Sequence, residues 1–155
     1  IAAAERQGTG LSLMLFDLNG FKLINDTYGH IVGDEMLKVI GSRLRQAVRD
    51  DDIVARWGGD EFVVVMPGVG DPEMAKRRAQ QLAEQVAGRT RLDGVADSVR
   101  VKVSAGIAMW PQHGAEVDRL VEAADQAMYQ AKRDGETFQI ARTVDPAVDP
   151  TALSI

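Results

Sequence analysis

The stretch Arg56–Met66, "RWGGDEFVVVM", restricts the fold more than any other part of the chain. Gly58-Gly59 separates two strand-like runs, Ile53–Trp57 and Glu61–Met66. A two-residue Gly-Gly loop suits a type I′ hairpin, which needs positive φ at both central positions. Asp60 and Glu61 then stand at the mouth of the most hydrophobic strand, although carboxylates are depleted from pleated, half-buried surfaces. That placement calls for a chemical reason.

The flanking segments supply a sheet and its cover. Residues 11–18, "LSLMLFDL", form a short apolar run ending in Asp17 and read as a buried strand. Asn19-Gly20 breaks it, and a helical turn follows over Phe21–Thr27. Met36, Leu37, Ile40, Leu44, Ala47 and Val48 recur at helical spacing within an amphipathic helix from Val32 to Val48. Ala75, Ala79, Leu82 and Val86 mark another helix, stopped by Gly88. "SVRVKVSAGIAM" alternates, with Val99, Val101, Val103, Ala105 and Ile107 on one face, as a long half-buried antiparallel strand does. Val117 to Ala131 carries an apolar helical stripe that stops at Gly135, and Phe138–Ile140 forms a last short strand. Hairpin and helical crossovers in one chain predict an α+β domain. Its central antiparallel sheet has about five strands, is ferredoxin-like in plan, and is wrapped by helices.

With 155 residues and 45% hydrophobic content, the chain is long enough for one domain with a real core. Residues 1–141 are read as that domain, and 142–155, "RTVDPAVDPTALSI", as a linker-like tail. The formal net charge of −5 argues against a nucleic-acid partner held by a broad basic surface. It leaves room for a nucleotide site built from local cations and a metal. Cysteine is absent, which excludes disulfides, thiolate ligands and a thiol nucleophile. No apolar run approaches the roughly 20 residues of a membrane span, so no membrane contact is expected of this piece. The chain starts at Ile1 in what reads as the tail of a helix, and is expected to be a fragment of a longer protein.

Asp17, Asp60 and Glu61 all fall at strand ends. If the first and third strands are neighbours, these acids meet, and crowded like charges call for a cation between them. Hard oxygen ligands favour Mg²⁺ or Mn²⁺, and with a nucleotide such a site performs nucleotidyl transfer. A second reading stands beside this one: acids near a Gly-Gly turn are ordinary turn chemistry, and "DLNG" terminates a strand. Strict alternation also points Asp60 and Glu61 to opposite faces unless the turn twists them.

"GGDEF", Gly58–Phe62, resembles the signature of the GGDEF domain of diguanylate cyclases, which condense two GTP into cyclic di-GMP and two pyrophosphates. "FDLNGFKLINDTYGHIVGDEML" before it and "ADQAMYQAKRDG" after it stand in that family's order and spacing, so the resemblance covers roughly residues 1–141. It implies a palm-like antiparallel sheet akin to that of nucleotide cyclases. It also implies that Asp17, the Leu18 carbonyl, Asp60 and Glu61 hold Mg²⁺ or Mn²⁺, with Glu61 as the catalytic carboxylate beside Asp60. Gly58 and Gly59 admit the phosphates, and the Gly20-Phe21-Lys22 segment and Lys132 bind them. Asn25 and Asp34 read guanine, and Leu37 lines the base pocket. His30 is read as a turn histidine, and His113 as a loop residue without a role.

Further implications concern regulation. Arg49 and Asp52, in "RDDD", match the family's Arg-x-x-Asp inhibitory site for cyclic di-GMP, with Arg77 and Arg78 as nearby supplements. A homodimer is expected, each chain bringing one GTP, with a sensor domain upstream. The location implied is the cytoplasm, with a possible membrane anchor elsewhere in the parent protein. Two departures stand out. The opening segment of the family's pattern lies before Ile1, and Glu136-Thr137 stands where the family has Arg-Asn, with Arg133 as the candidate replacement cation. The alternative function is a weak or inactive module that binds GTP or cyclic di-GMP, of the kind that sits beside an EAL phosphodiesterase domain in one chain.

Overall fold

In the computed structural model, which describes residues 1–143, the apolar run at Leu11 becomes the centre of the sheet. Strand β1, Leu11–Asn19, pairs antiparallel with β3, Glu61–Pro67, on one side and with β5, Val99–Trp110, on the other. Beyond β3 lies β2, Ile53–Gly58; β4, Gly88–Thr90, and β6, Phe138–Ile140, both pair with β5. All pairings are antiparallel except that of β6, which runs parallel to β5.

Alternation along β1 divides the molecule into two cores. Met14, Phe16 and Leu18 face one way, against helices α2, Phe21–Tyr28, α3, His30–Ala47, and α4, Pro72–Val86. Leu11, Leu13 and Leu15 face the other way, against α1, Ala2–Gln7, and α5, Val117–Asp134. A strand covered on both faces must be apolar throughout, which is why Leu11–Phe16 shows no polar alternation. The single exception is Ser12, whose Oγ donates to the Val69 carbonyl. Asp17 and Asn19 inherit the α5 face by the same period of two.

Four expectations change in detail. The described residues form six strands rather than about five, because Gly88 opens β4 at φ 123° instead of only ending a helix. The hairpin loop is Gly59-Asp60, one residue later than Gly58-Gly59, since Gly58 already pairs with Glu61. Neither Gly58 nor Gly59 has positive φ, so the turn is not type I′. Finally, β5 is half-buried only through Val103; from Ser104 to Met109 both faces are covered.

The cover over the second half of β5 is α5. The small residues Ser104, Gly106 and Ala108 on that face let the helix approach closely. A Cβ built on Gly106 would lie 1.9 Å from the Ala124 carbonyl oxygen and 2.4 Å from the Met128 nitrogen. This contact fixes the height of α5, and hence of Lys132, over the sheet. Gly106→Ala is therefore expected to destabilise the domain by about 2–3 kcal/mol, lowering the urea midpoint without changing the m-value.

Candidate active site

The alternation that sorts the core also gathers the acids. Asp17 is the Cα partner of Glu61 across the β1–β3 ladder, so both side chains leave the sheet toward α5. Asp60 sits in the loop rather than in the strand, which frees it from alternation, and its carboxyl reaches Asp17. Arg56 Nε donates to the Gly59 carbonyl at 2.9 Å and pins the loop. The three carboxylates thus converge at one end of the sheet.

Their electrostatics are those of crowded like charge. The Asp17 side chain is only 13% exposed; one oxygen, Oδ2, accepts from Lys132 Nζ. The other, Oδ1, is buried with no hydrogen-bond partner. Burial raises the Asp60 pKa from its ordinary 3.8, as do the hydrogen bond to Asp17 and that group's charge. Burial also raises Glu61 above 4.5, helped by the charges of Asp17, Asp125 and Asp60. Lys132 opposes both shifts.

These donors fit a hard divalent cation: they are oxygen ligands, under-neutralised, and one buried oxygen lacks any partner. The Leu18 side chain packs in the opposite core, leaving only its backbone to contribute. Among the described residues no three acidic or histidine side chains lie close enough together to hold a metal ion. The Lys132 ammonium supplies part of the missing positive charge instead.

The residues expected to bind substrate fall in two places, beside this corner and in a cavity on the α3 side of the hairpin. Gly20 caps α2 with φ 78°, and Phe21 and Lys22 form its first turn, where free backbone N–H groups favour anions. Cβ atoms built on Gly58 or Gly59 would meet open space, so the loop offers bare backbone. Asn25 packs on α3, and a Cβ at Gly33 would lie 1.8 Å from Asn25 Oδ1. Asn25 is thereby placed beside Asp34. A cavity of about 410 Å³ lies between α3 and the hairpin, lined by Asp34, Leu37, Lys38, Val54, Arg56 and Phe62. Asn25 flanks that cavity without lining it.

Arg49 and Asp52 lie in the loop between α3 and β2. The Asp52 side chain is 2% exposed and paired with Arg78, itself 6% exposed. It also accepts from the Arg49 backbone N–H at 2.9 Å, so it closes the loop after α3. The Arg49 side chain is exposed. Arg133 stacks on the Tyr129 ring, 6.0 Å from its centroid, and does not line the cavity that holds Glu136. His30 is exposed at the start of α3, whereas His113 Nδ1 accepts from the Met109 N–H at 2.8 Å, and burial lowers its pKa.

The sequence reading missed Asp125, which acts on Glu61, as well as the Asn19–Ser104 pair and Lys102. Asp125 lies two helical turns before Lys132, on the same face of α5, and that spacing is a usable signal.

A mixed sheet of this order with an acidic corner is the frame of a nucleotidyl cyclase. The family model "Diguanylate cyclase, GGDEF domain" matches residues 1–137. The chain is 39% identical over 136 residues to the diguanylate cyclase DosC of Escherichia coli K12, covering 87% of this chain and 29% of that protein. It thus spans under a third of that relative's length. The GGDEF domain of PA1120 (YfiN or TpbB) from Pseudomonas aeruginosa superposes with a TM-score of 0.85 at 34% identity, over 91% of this chain and 88% of that one. The GGDEF domain of DgcB from Caulobacter crescentus, solved in complex with c-di-GMP, gives 0.79 at 27% identity, over 90% and 81%. The chain belongs to the GGDEF family.

Raised carboxylate pKa values have a thermodynamic sign. The fold favours the protonated acids, so their contribution is complete below the ordinary values of 3.8 and 4.5 and is lost as pH rises through the raised ones. At pH 7 without divalent cations, Asp60→Asn and Glu61→Gln should each melt roughly 1–3 °C above the parent, after allowance for solvent screening. The gain should vanish as pH falls toward about 4, which calorimetric scans at several pH values would reveal.

Proposed function

We propose that this domain condenses two GTP into cyclic di-GMP, and that it does so as a homodimer with one GTP in each chain. The observation that carries the reading is the convergence of Asp17, Asp60 and Glu61 around a buried, unpartnered oxygen next to Lys132. Asp17, the Leu18 carbonyl, Asp60 and Glu61 hold Mg²⁺ or Mn²⁺, which when bound supplies positive charge at the triphosphate. The amides of Gly20, Phe21 and Lys22, with the ammonium groups of Lys22 and Lys132, bind the β- and γ-phosphates. Gly58 and Gly59 let the nucleotide lie against bare backbone.

Asp34 accepts from the guanine N1–H and N2 amino group, Asn25 completes the edge, and Leu37 packs on the base. A carboxylate facing two donors rejects adenine, whose edge would leave it unpaired. Glu61 takes the proton from the ribose 3′-OH; burial and the neighbouring acids raise its pKa above the ordinary carboxylate value, which makes it the stronger base. The 3′-oxygen then bonds to the α-phosphorus of the partner chain's GTP, and the bond to the β-phosphate oxygen breaks, releasing pyrophosphate. Catalysis is positioning plus electrostatics, and each half-site needs its mate.

Product feedback is read at Arg49, which is exposed and able to grip a phosphate in two places. Asp52 joins it only when the pair with Arg78 opens. GTP as substrate puts the site on the cytoplasmic side, and a sensor domain elsewhere in the parent protein would set dimerisation. Among the described residues no helix is long and apolar enough to cross a membrane.

One feature favours the second reading, a nucleotide-binding module without turnover: Lys132 is spent on Asp17, and Glu136 stands beside it in the same cavity. Chromatography of GTP and Mg²⁺ incubated with the protein separates the two. Cyclic di-GMP should form at a rate rising faster than linearly with protein concentration, and Asp60→Ala should reduce it by roughly 10³-fold. A strictly linear dependence would remove the homodimer, and GTP binding without product would establish the binding module.

A further inference from the structure

A cavity of about 560 Å³ opens beside the acidic corner, lined among others by Asn19, Lys102, Ser104, Lys132 and Glu136. Its floor is the end of the β1–β5 ladder, where Asn19 is the Cα partner of Lys102 and Asp17 that of Ser104. The side chains of Asn19 and Ser104 are tied to each other: Asn19 Nδ2 donates to Ser104 Oγ at 2.9 Å, and the hydroxyl lies 3.2 Å from Asn19 Oδ1. Asn19 immediately precedes Gly20, so the cavity adjoins the free N–H groups that open α2.

The charges in this cavity are uneven in availability. Lys132 is committed to Asp17. Glu136 accepts from Gln139 Nε2 at 3.0 Å, which draws its carboxylate toward β6. Lys102 is exposed, and among the described residues it has no carboxylate within ion-pair distance. Arg133 is turned onto Tyr129 and does not line the cavity. A polyphosphate entering past Lys22 on the first turn of α2 would therefore meet, within the cavity itself, one ammonium outside any ion pair, that of Lys102.

We infer that Lys102 binds the terminal phosphates of the nucleotide and offsets the repulsion from Glu136, with Lys132 as the second cation. The inference rests on the GTP reading above and assigns its polyphosphate end. Lys102 is thus a substrate-binding residue on β5, a strand to which the sequence reading gave only a structural part. A lysine between Val101 and Val103 otherwise reads as an ordinary solvated residue of the half-buried strand.

The test compares the parent, Lys102→Ala, Lys102→Arg and the double variant Lys102→Ala/Glu136→Arg, using calorimetry with GTP, GMP, ATP and inorganic tripolyphosphate, all with Mg²⁺. Lys102→Ala should weaken GTP and tripolyphosphate by roughly 10-fold while leaving GMP unchanged, because GMP lacks the terminal phosphates. Lys102→Arg should retain affinity, and the double variant should recover it, since the charge returns from the opposite wall. Equal weakening of GMP, or no change in GTP and tripolyphosphate, overturns the role of Lys102 while a preference for GTP over ATP keeps the GTP reading. Loss of that preference in the parent removes the GTP reading, and the tripolyphosphate titration of the same variants then decides Lys102 alone. Lys102 is exposed, and matching melting curves will show that the variants fold.

Discussion

The meeting of Asp17 with Lys132 governs the arrangement of everything around it. Asp17 follows six buried residues of β1, apolar except for Ser12, at a position whose alternation turns it toward α5. One of its oxygens is neutralised by the lysine, and the other stays buried and bare. Bringing Asp60 and Glu61 to the same place raises the free energy of all three ionised acids. A core built for stability alone would separate them. The fold holds them together because β1 is locked between β3 and β5, and because α5 is pressed onto the sheet at Gly106.

That scaffold has a second ion pair with the opposite character. Arg78 and Asp52 are both almost fully buried, and each neutralises the other between α4 and the loop after α3. Removal of either would leave an uncompensated charge in a dry place, which is why such pairs hold geometry even when they add little net stability. Asp17–Lys132 is more open, with Lys132 about a third exposed, and so can exchange its partner. The buried pair supports the frame, whereas the open one is available for binding.

Much of this was readable beforehand, and the misses share a cause. The hairpin, the buried first strand and the three long helices follow from periodicity and glycine punctuation, which are local. The convergence of Asp17 with Glu61 was inferred from strand adjacency, and the ladder register bears it out. What local pattern could not give was the cover over β5. Ser104, Gly106 and Ala108 look like the weak side of an alternating strand, yet they are small because a helix backbone passes directly above them. The hairpin loop also slipped by one residue, since Gly58 can pair in the ladder as well as turn. Arg78 stands in the sequence reading as a neighbour of the Arg49–Asp52 pair, but its burial against Asp52, 26 residues away in sequence, has no local signal. The expected tail from 142 onward falls, from residue 144, outside the described residues.

The under-neutralised carboxylate corner is proposed to attract a divalent cation ahead of every other acidic group on the surface. Paramagnetic broadening of amide resonances during a Mn²⁺ titration of the nucleotide-free domain measures this directly. Asp17, Asp60, Glu61 and Lys132 should broaden first, and Asp17→Asn should abolish that selectivity. Broadening that begins at the exposed Asp50–Asp51 loop, or that is unchanged in the variant, would contradict it.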